Sequence, residues 1–159
     1  MTTENQVTAG LVGSGALLGV PWLLLGDCLE KMKEIPDGSV DMVMCDLPYG
    51  TTACKWDSVI PFEPLWAAYK RVCKPNAAVV LTAGQPFTSA LVMSNAEAFR
   101  YCWVWDKSTL SGFAFCKKQP LRGYEDITVF YYEPPTYNPQ MVRRSDEEMK
   151  RLSKGSVAG

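Results

Sequence analysis

Two apolar runs on either side of an amphipathic stretch are the feature that most constrains how this chain folds. Residues 40–46, VDMVMCD, and residues 77–84, AAVVLTAG, have the composition of strands, and the second run is apolar on both faces, as in a buried parallel strand. Between them, residues 61–75 place apolar side chains at helical spacing. A strand, a helix and a second strand in this order predict an α/β fold with parallel pairing and right-handed crossovers.

The same alternation continues on both sides of this unit. We expect a strand at Trp22–Asp27, a short helix over residues 28–35 that ends at the sequence PDGS, and a helix over residues 86–95. Two further strands are predicted at Arg100–Lys107 and Glu125–Tyr132. The sheet of this α/β fold should therefore be mostly parallel.

The length and composition fit one globular domain. The chain has 159 residues, of which 47% are apolar and 21% are charged. We divide it into an N-terminal segment over residues 1–21, a domain over residues 22–141, and a charged tail over residues 142–159 that forms a short surface helix or frays. The apolar stretch Leu11–Leu25 is short for a membrane span, and no positive charge precedes it as in a signal peptide. We therefore expect a cytoplasmic protein with no membrane partner.

The absence of histidine excludes several kinds of chemistry. This chain has no histidine metal ligand, no histidine general base and no Ser-His or Cys-His nucleophile. Its six cysteines form no C-x-x-C pair, so we expect no metal site, and we interpret Cys45 and Cys102 as small core residues. The net charge of -1 gives no overall basic signal for nucleic acid, so any DNA contact must come from a local patch.

The most informative short stretch is CDLPYG, residues 45–50. Ligands of α/β sheets bind beyond the carboxyl ends of the strands, and Asp27 and Asp46 both follow predicted strands. Taken singly, each would be a helix cap or a loop residue, and Tyr49 would be a half-buried aromatic with a satisfied hydroxyl. Asp46 differs because Pro48 restricts the backbone just after it and Tyr49 follows. Together these residues indicate a site for a flat, hydrogen-bonding ring.

DLPY, Asp46-Leu47-Pro48-Tyr49, resembles the D-P-P-Y motif of the DNA methyltransferases that modify adenine N6 or cytosine N4. The approach to the motif, GDCLEKMKEIPDGSVDMVMCDLPYG, and the later segments FRYCWVWDKS, KKQPLRGYEDITVFY and PTYNPQM are similar in the same order. The chain looks most like the adenine methylases of phages and mobile elements. The resemblance implies a Rossmann-like methyltransferase sheet, S-adenosylmethionine as cofactor and double-stranded DNA as substrate, in a setting such as restriction–modification.

The resemblance also implies roles for the motif residues. Asp46 and the backbone carbonyl of Leu47 would each accept an N–H of the target amine and so localise its lone pair. Pro48 would hold the turn, and Tyr49 would stack on a base flipped out of the duplex. An aspartate at the first position favours adenine, since family members that act on cytosine N4 more often carry serine there.

Further positions match the family's cofactor and DNA contacts. Asp27, with Cys28, corresponds to the acidic residue that binds the adenine of the cofactor, and capping the following helix is its alternative role. Asp46 is assigned to the cofactor site as well. The residues assigned to nucleic acid are basic and lie among aromatics, and their alternative is a solvated surface: Lys107, Lys117, Lys118 and Arg122.

One family feature is missing from its expected place. The glycine-rich F-x-G-x-G cofactor loop follows the target-recognition region in methylases of this motif order, and this chain stops before it. The only Gly-x-Gly is residues 13–15, upstream of the motif. We therefore expect an incomplete sheet, completed by a homodimer, by a partner chain or by a strand from Leu11–Leu25. The alternative function is an inactive, truncated remnant that binds DNA or a partner.

Overall fold

The computed structural model describes residues 23–141, Arg143 and Ser145. Within that part of the chain, three α-helices, four strands and one 3-10 turn follow one another. In chain order they are α1 (Cys28–Met32), β1 (Val40–Asp46), α2 (Phe62–Val72), β2 (Cys73–Ala83), α3 (Phe87–Ser94), β3 (Phe99–Ser111), the 3-10 turn (Phe113–Phe115) and β4 (Arg122–Phe130). The predictions for residues 1–21, including the Gly-x-Gly at 13–15, and for most of the tail over 142–159 lie outside the described residues.

The four strands form one mixed sheet in the order β1-β2-β4-β3. β1 pairs with β2 in parallel, and β4 pairs antiparallel with both β2 and β3. Strands β1, β2 and β3 therefore point the same way, and β4 alone is reversed. The predicted α/β class is confirmed, but only one of the pairs is parallel. A parallel pair needs a crossover of about a dozen residues or more, usually a helix, whereas residues 112–121 between β3 and β4 provide only a short turn.

Most predicted elements are present, with shifted ends. β1 has the predicted bounds, and α2 and α3 lie inside the predicted helices. β2 begins directly after α2 at Cys73, so Pro75 lies in a strand and not after a helix. The ladder between β1 and β2 is irregular at that point, which accommodates a residue that has no N–H to donate.

The predicted strand at Trp22–Asp27 is wrong for its described residues. Leu23 and Leu25 have no regular structure and are 97% and 94% exposed. The backbone groups of a strand need a neighbouring strand, and β1 is the last strand at its edge of the described sheet. This apolar run therefore has no strand to pair with among the described residues.

The two faces of the sheet differ in what covers them. On the covered face, Leu65 of α2 and Leu91 of α3 pack against Leu81 and Phe130 of the strands, and all four side chains are almost completely buried. Successive side chains of a strand point to opposite faces, so the residues between these buried ones form the opposite face, here called the open face. It carries five large exposed hydrophobic side chains: Met42, Met44, Tyr101, Trp103 and Trp105.

The interpretation of the cysteines holds for one of the two core candidates. Cys45 packs against the core, and partial burial raises the pKa of its thiol. Cys102 is exposed, so its assignment to the core is wrong, because β3 is the outer strand of the sheet. Among the described residues no cysteine forms a disulfide, no acidic or cysteine cluster could hold a metal, and no helix is long and apolar enough to cross a bilayer.

Candidate active site

The candidate site lies where β1 and β2 end. Asp46, the last residue of β1, is paired in register with Thr82 of β2. Paired residues of neighbouring strands project to the same face, so both side chains lie on the open face. The next residue, Leu47, buries its side chain in the core at 6% exposure, and Pro48 and Tyr49 follow half-buried.

Three oxygen atoms form a compact hydrogen-bonded group at this point. The Thr82 hydroxyl donates a short hydrogen bond to Asp46 Oδ1. The Tyr49 hydroxyl lies 3.0 Å from Asp46 Oδ1 and 3.0 Å from Thr82 Oγ1. Burial of the Tyr49 ring, together with the negative charge of Asp46, raises the pKa of the phenol. Tyr49 is therefore a neutral hydrogen-bond donor to this group, and Asp46 remains exposed to solvent beside it.

The ring of Tyr49 has one face occupied. It stacks on Phe87 of α3 with a centroid separation of 5.1 Å and an interplanar angle of 24°. Tyr49 therefore has the features of its alternative role, a half-buried aromatic whose hydroxyl has hydrogen-bond partners. Gly84 lies beside the ring, and a Cβ there would be 3.8 Å from Tyr49 Cε2. Phe87 therefore covers one side of the Tyr49 ring.

A buried aspartate holds the loop that follows the motif. Asp57 Oδ1 accepts from the amide of Gly50 at 2.8 Å, and Oδ2 accepts from the amides of Thr51 and Thr52 at 2.9 and 2.7 Å. Hydrogen bonds from Thr52 and from the Gly50 amide lower the pKa of Asp57. Gly50 has φ +68, and a Cβ there would lie 3.0 Å from Val59. The turn after Tyr49 therefore requires both this glycine and this carboxylate.

Two of the predicted DNA contacts reach the same end of the sheet. Lys107 forms a half-buried ion pair with Glu125 and lies 5.4 Å from the Trp105 ring centroid. Glu125 in turn contributes to the raised pKa of Tyr49. Arg122 donates to the Gln85 carbonyl at 3.1 Å. Its Nη1 atom lies 3.0 Å from where a Cβ of Gly84 would be.

The other two basic residues do not join this group. Lys117 and Lys118 are exposed in the connection between β3 and β4. Among the described residues, no hydrogen bond or ion pair links either lysine to the motif.

Asp27 and Cys28 lie at the start of α1. Asp27 Oδ1 accepts from the amides of Leu29 and Glu30 at 2.9 and 3.3 Å, so the aspartate does cap the helix. Burial is the main reason that the pKa of Tyr69 is raised, and the thiols of Cys45 and Cys28 add to it. Cys28 also contributes to the raised pKa of Cys45, so the two thiols lie near each other. The start of α1 therefore lies beside β1.

Three residues at this site were missed by sequence reasoning. Thr82 and Glu125 lie inside strands, where alternation predicts only which face a side chain occupies, and strand pairing must be known before either meets Asp46 or Lys107. Asp57 carried a local signal, an acidic residue soon after a Gly-Thr-Thr turn, which is the pattern of side-chain capping of backbone amides.

Comparison with known proteins addresses the fold. No family model matches the chain. A solved structure of the M1.HpyAVI–SAM complex matches 73% of this chain and 58% of that chain, with a TM-score of 0.50 and 14% identity. The PvuII DNA methyltransferase, cytosine-N4-specific, matches 72% of this chain and 50% of that chain, with a TM-score of 0.55 and 13% identity.

At such identities the likeness concerns the fold alone. The chain spans 58% and 50% of the lengths of the two structures. The described α/β sheet, in which β4 is the one reversed strand, therefore has the same fold as part of the PvuII DNA methyltransferase.

Proposed function

We propose that this chain is an S-adenosylmethionine-dependent DNA methyltransferase that modifies the exocyclic amine of a flipped base, adenine N6 by preference. The observation that carries the proposal is the position of Asp46. An exposed carboxylate at the carboxyl end of a strand, held by Thr82 and Tyr49, lies where ligands of α/β sheets bind. Domain 22–141 would carry this activity, in the cytoplasm.

The chemistry needs alignment of the amine more than a strong base. The lone pair of the exocyclic nitrogen is delocalised into the ring, and acceptors at Asp46 and at the carbonyl of Leu47 would draw its two N–H bonds out of the ring plane. The methyl carbon would pass to this nitrogen as its carbon–sulfur bond breaks, with the electron pair of that bond left on sulfur. The nitrogen loses one proton, which Asp46 can pass to solvent.

The residues present fit the proposed cofactor. S-adenosylmethionine would supply an electrophilic methyl group on a sulfonium. Both cap bonds of Asp27 use Oδ1, so Oδ2 remains an acceptor for the exocyclic amine of the cofactor's adenine. Cys28 lies next to it, and Asp46 adds a negative charge that favours a sulfonium nearby. No histidine or metal takes part in this scheme.

Double-stranded DNA is the proposed substrate. The free side of the Tyr49 ring would stack on the flipped base. Lys117, Lys118 and Arg122 would contact phosphates, because they present positive charge near or beyond the strand ends. Lys107 would line the target pocket, with its charge balanced by Glu125.

A partner is proposed for the free edge of the sheet. Within the described residues β1 pairs only with β2, although the residues from Met42 to Cys45 are apolar on both faces, as in a strand inside a sheet. Met44 on this strand is 71% exposed. The unpaired backbone of an edge strand is a site for strand addition, and a second copy or a completing chain that paired there would also cover the Met44 side chain on the open face.

The first experiment is a titration followed by a transfer assay. The full chain is titrated calorimetrically with S-adenosylmethionine and then incubated with duplex DNA and methyl-labelled cofactor, and the DNA is digested to nucleosides. We expect N6-methyladenine, abolished by Asp46→Ala. Asp41→Ala is the matched control, because Asp41 is an exposed aspartate of the same strand whose ion pair is with Lys74, away from the motif.

Each outcome of this experiment has a separate meaning. Full activity of Asp46→Ala would contradict the proposed role of Asp46. Labelled N4-methylcytosine would keep the methyltransferase and overturn the adenine assignment. A folded chain that neither binds the cofactor nor transfers methyl would contradict activity of this polypeptide alone.

A further inference from the structure

Thr82 occupies a position that no motif marks, in the strand next to the one that ends in Asp46. From the hydrogen bonds around it, we infer that Thr82 is a positioning residue, which holds Asp46 through Oδ1 and so leaves Oδ2 as the oxygen presented to the amine of the substrate. The inference rests on the proposed function for the identity of that amine. The arrangement of the carboxylate itself is a property of the free protein.

The count of protons supports this assignment. An ionised carboxylate only accepts, and Thr82 and Tyr49 each carry one hydroxyl proton. Thr82 donates its proton to Asp46 Oδ1, and the Tyr49 hydroxyl oxygen lies 3.0 Å from both Oδ1 and Thr82 Oγ1, so its proton can be donated to either atom. Both interactions of the carboxylate therefore converge on one oxygen. Among the described residues, no side chain or backbone group donates to Oδ2.

The position of Thr82 in the sheet makes it suited to this role. It lies on β2, which is paired on both sides, by β1 and by β4. The adjacent residues, Leu81 and Ala83, are completely buried, so the backbone on either side of Thr82 is fixed in the core. A β-branched side chain has few rotamers in a strand. The hydroxyl is therefore held on a rigid support, as a group that orients another group should be.

The hydrogen bonds to Oδ1 would fix the orientation in which the substrate amine meets Asp46. With Oδ1 engaged, an amine that approaches Asp46 meets Oδ2 in a fixed orientation, and the carbonyl of the next residue, Leu47, lies on the same chain segment. Removal of the hydroxyl would let the carboxylate rotate, so that productive alignment would become one of several arrangements. Alignment affects the chemical step more than the binding of DNA.

The test compares three variants of the full chain. Thr82→Val keeps shape and strand propensity but removes the hydroxyl, and Thr82→Ser restores the hydroxyl. We expect Thr82→Val to lower kcat about tenfold with little change in KM, and Thr82→Ser to recover most of it. Thr128→Val is the matched control on the covered face, where the hydroxyl of Thr128 donates to the Leu81 carbonyl at 2.8 Å. It should reduce stability without this loss of kcat.

A measurement without substrate separates this inference from the proposed function. The carbon-13 shift of the Asp46 carboxylate and the ring-proton shifts of Tyr49, which lies against Phe87, are recorded for each variant. Both should change in Thr82→Val and return towards wild type in Thr82→Ser. Unchanged resonances in Thr82→Val would overturn the inference, whether or not the chain transfers methyl groups. An active Thr82→Val enzyme with wild-type kcat would overturn it as well. If the wild type proves inactive while the resonances respond, the proposed function fails and the positioning of Asp46 stands.

Discussion

Both faces of the sheet carry apolar side chains, but their surroundings are very different. On the covered face, Leu81 has no exposed surface and contacts side chains of α2 and α3. On the open face of the same strand, Thr82 points to Asp46 and Tyr49, and the side chains of Met44 and Trp105 on this face are exposed. Stability of the described fold therefore derives mainly from one face, and the candidate chemistry lies on the other. Substitutions on the two faces should separate stability from activity.

The largest expected effect is on the covered face. Leu81→Ala should lower the free energy of unfolding by about 3–4 kcal/mol, because it removes a fully buried side chain and leaves a cavity between the sheet and its helices. Urea denaturation measures the loss. Val80→Ala, one residue away on the other face and only half-buried, is the control and should cost about 1 kcal/mol. Equal losses at the two positions would mean that both faces are packed in solution.

The second-largest effect is expected in the loop that follows the motif and is held by Asp57. Asp57→Asn weakens the acceptor for three amides, so the amide protons of Gly50, Thr51 and Thr52 should exchange with solvent about tenfold faster. The folded-state pKa of Asp57 is lowered, so its stabilising contribution is complete above the ordinary aspartate pKa of about 4. That contribution should disappear as the pH falls through the lower folded value. Unchanged exchange in the variant would show that other contacts hold this loop.

A smaller effect is expected at the ion pair on the open face. Glu125→Gln leaves Lys107 without its counter-charge in a half-buried position and should cost about 1 kcal/mol in urea denaturation. Lys33→Gln, which breaks an exposed pair with Glu30, is the comparison and should cost less than about 0.5 kcal/mol. An equal cost for the two variants would mean that burial adds nothing to the Lys107–Glu125 pair.

The smallest effect is expected at the free edge. Met44→Thr should change the free energy of unfolding of the isolated chain by no more than about 0.5 kcal/mol, because the side chain is exposed. If a second copy or another chain pairs with β1, the same variant should weaken that association, as measured by sedimentation at several concentrations. Met93→Thr, at an exposed methionine of α3, is the control. A large loss of stability in the isolated Met44→Thr chain would mean that Met44 is packed against other groups, which would contradict its exposure on the open face.

The bounds of β1 and the existence of α2 and α3 were predictable because each depends on local periodicity. So was the place of Asp46 at the end of β1, directly before Pro48 and Tyr49. The strand at Leu23–Leu25 was predicted wrongly, since an apolar run forms a strand only where a neighbour accepts its hydrogen bonds. Cys102 was placed in the core for a related reason: its run is apolar, but β3 lies at the edge of the sheet.

The sequence by itself determined the α/β class, the order of most elements and the motif at the end of β1, because propensity and apolar spacing act over a few residues. Only the tertiary structure decided that β4 runs against its neighbours and that Thr82 meets Asp46. It also decided that Lys107 is paired with Glu125 while Lys117 stays free of the motif among the described residues. These relations join residues that are far apart in the chain. They follow from strand pairing and from burial of one face, which no short stretch of sequence specifies alone.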